Sequence, residues 1–320
     1  MPSTQNLKAE SAPNPPWVSV EDYKLPAGWA SPEKKEARAR ACCELLESGE
    51  ILFFREPPFQ LPAEDREFLV SQPWSELRLH KNVSYRSGED ILRGVGGDSE
   101  TVARVHSILR NYSEHVLRFA ADVLAPYAEK WIVDFSSFRP LEEQGRNLPL
   151  HKRNDLLHVD AFPSRPTRGG RILRIFTNLN PSKARVWNTT GPFDALAKQY
   201  ANDAGLKKFA EESAFSRSIH GLAGKLGLRG GGRTPYDAFM LHFHDYLKEN
   251  AEFQGNCPKS RLEFPPLATW LVFTDGVAHA AMSGQYALEQ TLLIPTAALV
   301  APERAPYRIL EAIAGRALVS

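Results

Sequence analysis

The sequence predicts an α+β protein: a double-stranded β-helix core (jelly-roll, cupin-like) with surrounding helices and a helical insert. Three observations point there. Short apolar or alternating runs gather in two groups, one before and one after a helical stretch. Long helical periodicity is confined to the first 130 residues and to the middle. No internal repeat offers a solenoid or propeller instead.

The elements follow in order. Residues 1–20 are polar and rich in Pro and Ser, and read as a flexible lead-in to one domain over 21–320. Pro32 to Ser48 is dominated by Ala, Glu, Leu and Arg, with Ser31 able to cap and Pro32 suited to a first turn, so a helix is expected. Ile51-Leu52-Phe53-Phe54 reads as a short buried strand, and Pro62 to Val70 as a short helix. From Asp98 to Tyr127, apolar residues at Val102, Val105, Ile108, Leu109, Tyr112, Val116, Leu117 and Phe119 keep helical spacing, with Pro126 expected to end the helix. Strands are expected at Trp131 to Arg139, Leu156 to Phe162 and Arg171 to Asn180, with the turn-rich Pro163 to Gly170 between the last two. Helices then fit Phe193 to Ala204 and Tyr236 to Asn250, separated by the glycine-rich Gly221 to Arg233. Strands return at Leu262 to Phe264, Ala268 to Thr274, His279 to Ser283 and Tyr286 to Pro295, and a last helix covers Tyr307 to Ala317.

One stretch carries chemistry. In Leu156-Leu157-His158-Val159-Asp160-Ala161-Phe162 the imidazole and carboxylate share one face of an extended chain. They supply two of the three ligands of a 2-His-1-carboxylate site for non-haem Fe(II), which leaves positions open for a co-substrate and O₂. An isolated His-x-Asp is also compatible with a core histidine beside a turn-capping aspartate. The apolar flanks favour a metal, because a buried carboxylate needs a partner. His279, on a strand after the insert, is the best third ligand. His242 and His244 diverge on a helix, so both could not hold one ion, and His151, His220, His80 and His106 lie in turns or ahead of the core strands.

If such a site uses 2-oxoglutarate, the distal carboxylate of that molecule needs a cation. Often this is an arginine about ten residues beyond the distal histidine, but no Arg or Lys lies between His279 and Glu303, and Gln290 stands there instead. Arg174, inside the apolar run Ile172 to Phe176, is a buried cation asking for an anion, and the strand period places Phe176 and Asn178 on its face. Arg139 is a second candidate. An internal ion pair to a core Glu or Asp is the alternative for both.

These blocks resemble the Kdo hydroxylases, Fe(II)/2-oxoglutarate dioxygenases acting on the Kdo sugar of lipopolysaccharide. The resemblance rests on His158 to Pro163, Arg171 to Asn180, Phe273-Thr274-Asp275 through His279, Ser283 to Thr291, and Tyr236-Asp237 through Met240 and His244. It implies a jelly roll that converts Kdo to its 3-hydroxylated form, Ko, on a lipid A precursor. His158, Asp160 and His279 would bind Fe(II), and Arg174 with Arg139 would bind 2-oxoglutarate; Gln290 fits this family's own pattern. Such an anionic glycolipid agrees with Lys152, Arg153, Arg165, Arg168 and Arg171 flanking the His-x-Asp stretch. Three other readings stay open: a 2-oxoglutarate oxygenase with a different substrate, a non-catalytic jelly-roll carbohydrate-binding module, and a zinc hydrolase, since His₂-carboxylate sites also bind Zn²⁺.

Composition narrows the setting. With 39 Lys+Arg against 38 Asp+Glu over 320 residues, nothing suggests a nucleic-acid partner. Cys42, Cys43 and Cys257 form no disulfide framework, which suggests a reducing compartment. Met1 to Pro16 has no apolar core of a leader, and no run is long enough to span a bilayer. A cytoplasmic protein is expected, with peripheral contact at the inner membrane and oligomer formation both left open.

Overall fold

The computed structural model describes residues 17–20, 32–74, 82–211 and 233–319. Their elements run β1 (Val18–Ser19), α1 (Pro32–Glu47), β2 (Leu52–Phe54), α2 (Ala63–Ser71), β3 (Val83–Arg86), β4 (Ile91–Arg93), α3 (Ser99–Val123), α4 (Ala125–Ala128), β5 (Ile132–Arg139), β6 (Arg171–Asn178) and β7 (Arg185–Pro192). Then come α5 (Phe193–Tyr200), α6 (Pro235–Glu249), α7 (Ala251–Asn256), β8 (Ser260–Phe264), β9 (Thr269–Phe273), β10 (Val277–Ser283), β11 (Ala287–Ile294) and α8 (Pro306–Ala314).

Eight strands form one sheet in the order β1-β2-β9-β6-β11-β5-β3-β4, and three form a second, β10-β7-β8. The central pairs β9-β6, β6-β11 and β11-β5 are antiparallel, as are β10-β7 and β7-β8. This is the expected jelly roll, two facing sheets with helices outside.

The strand period sorts the side chains. On β6, Leu173 and Ile175 pack outward against α1 and α3 with Leu271, Phe273, Leu288 and Leu292. Phe176 points between the sheets, where it meets Trp187, Trp270, Phe264 and Val272. There Phe264 and Trp270 stack with ring centroids 3.9 Å apart. An aromatic cluster thus fills one part of the barrel. A third cluster joins Leu157 and Val159 to Phe239, Phe243 and Leu247 of α6, and extends to α5, α7 and α8.

Helix α3 shows how the outer layer is held. Asp98 caps it, accepting from Thr101 N at 2.8 Å, and Val105, Ile108, Leu109, Tyr112, Val116 and Phe119 face the large sheet. Burial of six such side chains, at about 2 kcal/mol each, is enough to fix the helix on the sheet.

Several expectations are corrected. Trp17 to Val20 are not a loose lead-in, because β1 pairs in parallel with β2; residues 1–16 lie outside the described residues. Helix α3 stops at Leu124, and Pro126 opens α4 rather than closing α3, since its missing N–H is tolerated in a first turn. Leu156 to Phe162 forms no regular strand, only an isolated bridge between His158 and His279. Strand β7, the middle of the small sheet, was not among the expected strands, nor were β3 and β4. The glycine-rich Gly221 to Arg233 lies, up to residue 232, outside the described residues.

Candidate active site

The His-x-Asp segment is held from both edges. Along β10, His158 N donates to His279 O at 3.1 Å and His279 N returns the bond to His158 O at 2.9 Å. Asp160 N donates to Thr274 O at 2.8 Å, and Ala281 N to Asn154 O at 2.7 Å. The other edge has no strand, so side chains take its place. Gln254 of α7 accepts from Leu157 N at 3.0 Å and donates to Leu157 O at 2.8 Å. His244 of α6 bonds Val159 O at 2.7 Å. Backbone groups that would be orphaned at a buried edge are thereby paired.

This backbone brings three imidazoles and a carboxylate together. His158 Nε2 lies 3.6 Å from Asp160 Oδ1. The His158 ring centroid is 4.7 Å from that of His279 and 4.8 Å from that of His244. Ligand atoms of His158, Asp160 and His244 all lie within 4.8 Å of one another. Trp187 stacks on His279 at 5.0 Å.

The tautomers follow from the acceptors. His158 Nδ1 contacts Leu156 O at 2.7 Å, and His279 Nδ1 contacts Val277 O at 2.9 Å. A carbonyl only accepts, so each Nδ1 carries the hydrogen and each Nε2 keeps its lone pair. Burial, together with the neighbouring His279, holds His158 well below the usual histidine range, and burial lowers His279 and His244 too. Burial would raise Asp160, but Arg174 and then His279 overcome it and keep the carboxyl ionised. Neutral imidazoles with oriented Nε2 atoms beside a carboxylate are the donor set that suits Fe(II).

Behind the carboxylate runs a chain of buried charges. Arg174 Nε lies 2.8 Å from Asp160 Oδ2 as an ion pair and donates to Thr274 Oγ1 at 3.3 Å, while its Nη1 bonds Glu289 Oε1. The other oxygen of Glu289 accepts from Arg139 Nε at 2.7 Å and from its Nη2. Thr291 Oγ1 adds a bond to Glu289 at 3.0 Å. Burial raises the Glu289 carboxyl, but Arg139 and Arg174 bring it down to about 2. All these groups line one cavity of about 440 Å³, with Arg165, Arg185, Phe135, Phe162 and Trp187 among its walls. Arg165 pairs with Asp134 and lies 4.2 Å from the centroid of Phe162. Arg185 Nη2 lies 3.4 Å from Glu143.

The profile of the 3-deoxy-D-manno-oct-2-ulosonic acid (Kdo) hydroxylase family matches residues 29–317. The chain belongs to this family. Solved structures of the Kdo hydroxylase KdoO, described as a non-heme Fe(II), α-ketoglutarate-dependent dioxygenase, are similar to it. The complex of KdoO with α-ketoglutarate and Fe(III) is 34% identical, with 89% of this chain and 92% of that one covered at a TM-score of 0.74. The complex with succinate and Fe(III) is 33% identical over 95% and 98%, at a TM-score of 0.76. The cobalt(II) complex is 34% identical over the same shares and at the same TM-score. No curated protein matches the chain.

In this Kdo hydroxylase, His158, Asp160, His279, Arg174 and Arg139 meet at one cavity, and two expected residues do not. Gln290 shares the outward face of β11 with Leu288 and Leu292; its Oε1 accepts from Ser113 of α3 at 2.8 Å. Asn178 is consumed by a turn, its Nδ2 donating to Lys183 O at 2.9 Å and Phe264 O at 3.0 Å. Arg171 is not at the mouth either: it is buried and pairs with Asp275 at 2.7 Å. Two residues, Glu289 and Arg185, were missed. Glu289 was overlooked because attention fell on its neighbour Gln290, although period two puts only one of them inside. Arg185 and Trp187, two residues apart on β7, share the face that lines the cavity.

Proposed function

We propose that this Kdo hydroxylase uses Fe(II), held by His158, Asp160 and His279, with 2-oxoglutarate and O₂, to hydroxylate Kdo on a lipid A precursor, giving Ko. The observation that carries the reading is the meeting of two lone-pair-oriented histidines and an ionised aspartate at a cavity walled by buried arginines. When bound, the iron with 2-oxoglutarate and O₂ supplies the oxidising power, with succinate and CO₂ as by-products.

The chain's own residues have separable tasks. Arg174 and Arg139 hold the distal carboxylate of 2-oxoglutarate, and Glu289 between them keeps both guanidinium groups aimed at one space. Arg174 also holds Asp160 by an ion pair. Trp187, Phe176 and Phe162 close the cavity against water and protect the reacting centre. Arg165, flat against Phe162 and Phe135, offers a planar cation to an anionic sugar.

Charge balance supports this use. Four arginines line the cavity, Arg139, Arg165, Arg174 and Arg185, and four acids pair with them, Asp160, Glu289, Asp134 and Glu143. A dication and a dicarboxylate entering together leave that balance unchanged. Among the described residues no helix is long and apolar enough to cross a membrane. In this proposal the glycolipid is reached by peripheral contact at the inner membrane.

The test is succinate release after anaerobic loading with Fe(II), then O₂ and 2-oxoglutarate, with and without Kdo₂-lipid A. The expected result is release that rises with the lipid, and a product heavier by one oxygen. Release indifferent to the lipid would remove the substrate; no release would remove the oxygenase.

A further inference from the structure

We infer that Trp187, Trp270 and Trp17 form a redox outlet, which carries oxidising equivalents from the active site to the surface when 2-oxoglutarate is consumed without the sugar in place. The inference rests on the reading of His158, Asp160 and His279 as the iron site of an oxygenase.

The path is continuous in ring contacts. Trp187 stacks on His279 with centroids 5.0 Å apart and rings inclined by 23°. Trp270 meets Trp187 edge-on at 5.6 Å. Trp270 stacks on Phe264 at 3.9 Å and 6°, and Phe264 meets Trp17 at 5.5 Å. Trp187 and Trp270 are buried, whereas Trp17 is partly exposed. The two-residue strand β1 is what seats Trp17. Val18 N donates to Ile51 O at 2.8 Å and Val20 N to Phe53 O at 2.9 Å, and the Trp17 ring stacks on Phe53 at 4.6 Å.

Packing alone does not account for the indole of Trp270. A buried indole N–H usually finds an acceptor, as Trp74 Nε1 does by donating to Leu69 O at 2.6 Å. Trp270 Nε1 is buried with no partner, a cost that native cores seldom carry. In a relay that cost has a use. An oxidised indole is acidic at nitrogen, and an acceptor in reach would take the proton and trap the electron vacancy on that ring. With none, the vacancy stays mobile and the next indole fills it. Phe264 is much harder to oxidise, so it serves as a bridge between Trp270 and Trp17 and not as a stop. Solvation sets the direction: a cation is costly inside the aromatic cluster and is screened by water at Trp17.

The electrons balance. Each uncoupled turnover converts 2-oxoglutarate and O₂ to succinate and CO₂ and leaves one oxygen atom to be reduced. Two electrons passed inward along the path, with two protons, convert it to water. An enediol reductant such as ascorbate, meeting Trp17, supplies both electrons and both protons and is itself oxidised to the diketone. Without a reductant Trp17 gives up the two electrons, bonds one oxygen from water and releases two protons.

Mapping the oxidised residues tests this by peptide mass. Wild type, Trp17→Phe and Trp270→Phe are loaded with Fe(II) and 2-oxoglutarate, then given O₂ and catalase without Kdo₂-lipid A, with and without ascorbate. Succinate is counted and the peptides are weighed. The wild type is expected to gain one oxygen at Trp17, and ascorbate should suppress the gain. In both variants the oxygen should appear on the cavity wall instead, Trp187 foremost, ascorbate should protect little, and activity should be lost after fewer turnovers. Their initial succinate release should match the wild type, since neither residue lines the cavity. Oxidation chiefly at Trp187 in the wild type, or one map and one lifetime shared by all three proteins, overturns the inference. So does equal oxidation of Trp17 in a control without 2-oxoglutarate, which would mark adventitious surface damage. Trp17→Phe, at the rim, decides the matter if Trp270→Phe does not fold. Absence of succinate release from every protein would instead remove the iron-site reading on which the inference stands.

Discussion

Replacing Glu289 by glutamine tests the buried charge chain directly. The carboxylate is 1% exposed and bonds both Arg174 and Arg139. Removing one partner of a buried ion pair typically costs about 3 to 5 kcal/mol. Here the low end applies, because Arg174 keeps Asp160 at 2.8 Å and Arg139 keeps Glu143 at 4.0 Å. Linkage gives the same scale: a carboxyl lowered from 4.5 to about 2 contributes about 3 kcal/mol at neutral pH. The sign also follows. The folded-state value is depressed, so the contribution is complete above about 4.5 and fades as pH falls toward about 2. Urea unfolding followed by tryptophan fluorescence should therefore show Glu289→Gln less stable by about 3 kcal/mol at pH 7. The gap should narrow progressively below about pH 4.5. A deficit under about 1 kcal/mol at pH 7, or one that does not change between pH 7 and pH 3, would refute the reasoning.

Three other outcomes are expected. Asp160→Ala should lose metal-dependent succinate release while its far-UV circular dichroism stays native, because Arg174 retains Glu289 as partner; full turnover would remove Asp160 from the site. Arg174→Met should raise the KM for 2-oxoglutarate by about 10- to 100-fold, the scale of one charge-assisted hydrogen bond of about 1.5 to 3 kcal/mol, and an unchanged KM counts against its role. Gln254→Leu unpairs both backbone groups of Leu157, so stability should fall by about 2 kcal/mol or more in urea unfolding and Co(II) affinity should fall with it; loss of neither would show that the side-chain clamp is dispensable.

Much of the architecture was legible because burial follows the strand period. Arg171 to Asn178, Thr269 to Phe273 and Ala287 to Ile294 are dense in apolar residues and form the middle of the large sheet. The His-x-Asp spacing was legible for the same reason. β7 was harder: it is central in the small sheet, yet it carries Arg185, which lines the polar cavity, and polar Asn188 and Thr190 on its other face. A strand beside a functional cavity loses the apolar signature by which strands are recognised. Gln290 and Asn178 show the opposite error. Their polarity suggested a ligand contact, but both satisfy buried backbone or helix partners. His244 was discounted on sound helical geometry, since only one of His242 and His244 could face the ion; which one depended on how α6 docks, and that is a tertiary fact.

The position of the cations explains Glu289. β11 lies between β5 and β6, and Glu289 stands opposite Ser137 on one side and Phe176 on the other. The arginines come from those two flanking strands, Arg139 from β5 and Arg174 from β6, rather than from β11 itself. Two guanidinium groups converging on one space repel each other, and in a low-dielectric barrel that repulsion is severe before any anion arrives. A carboxylate on the strand between them removes the repulsion and fixes both forks, one per oxygen. Once the cations are supplied from β5 and β6, an arginine on the inward face of β11 would add a third positive charge where a negative one is required. The absence of Arg and Lys between His279 and Glu303 then has a physical cause, and Glu289 is its structural counterpart.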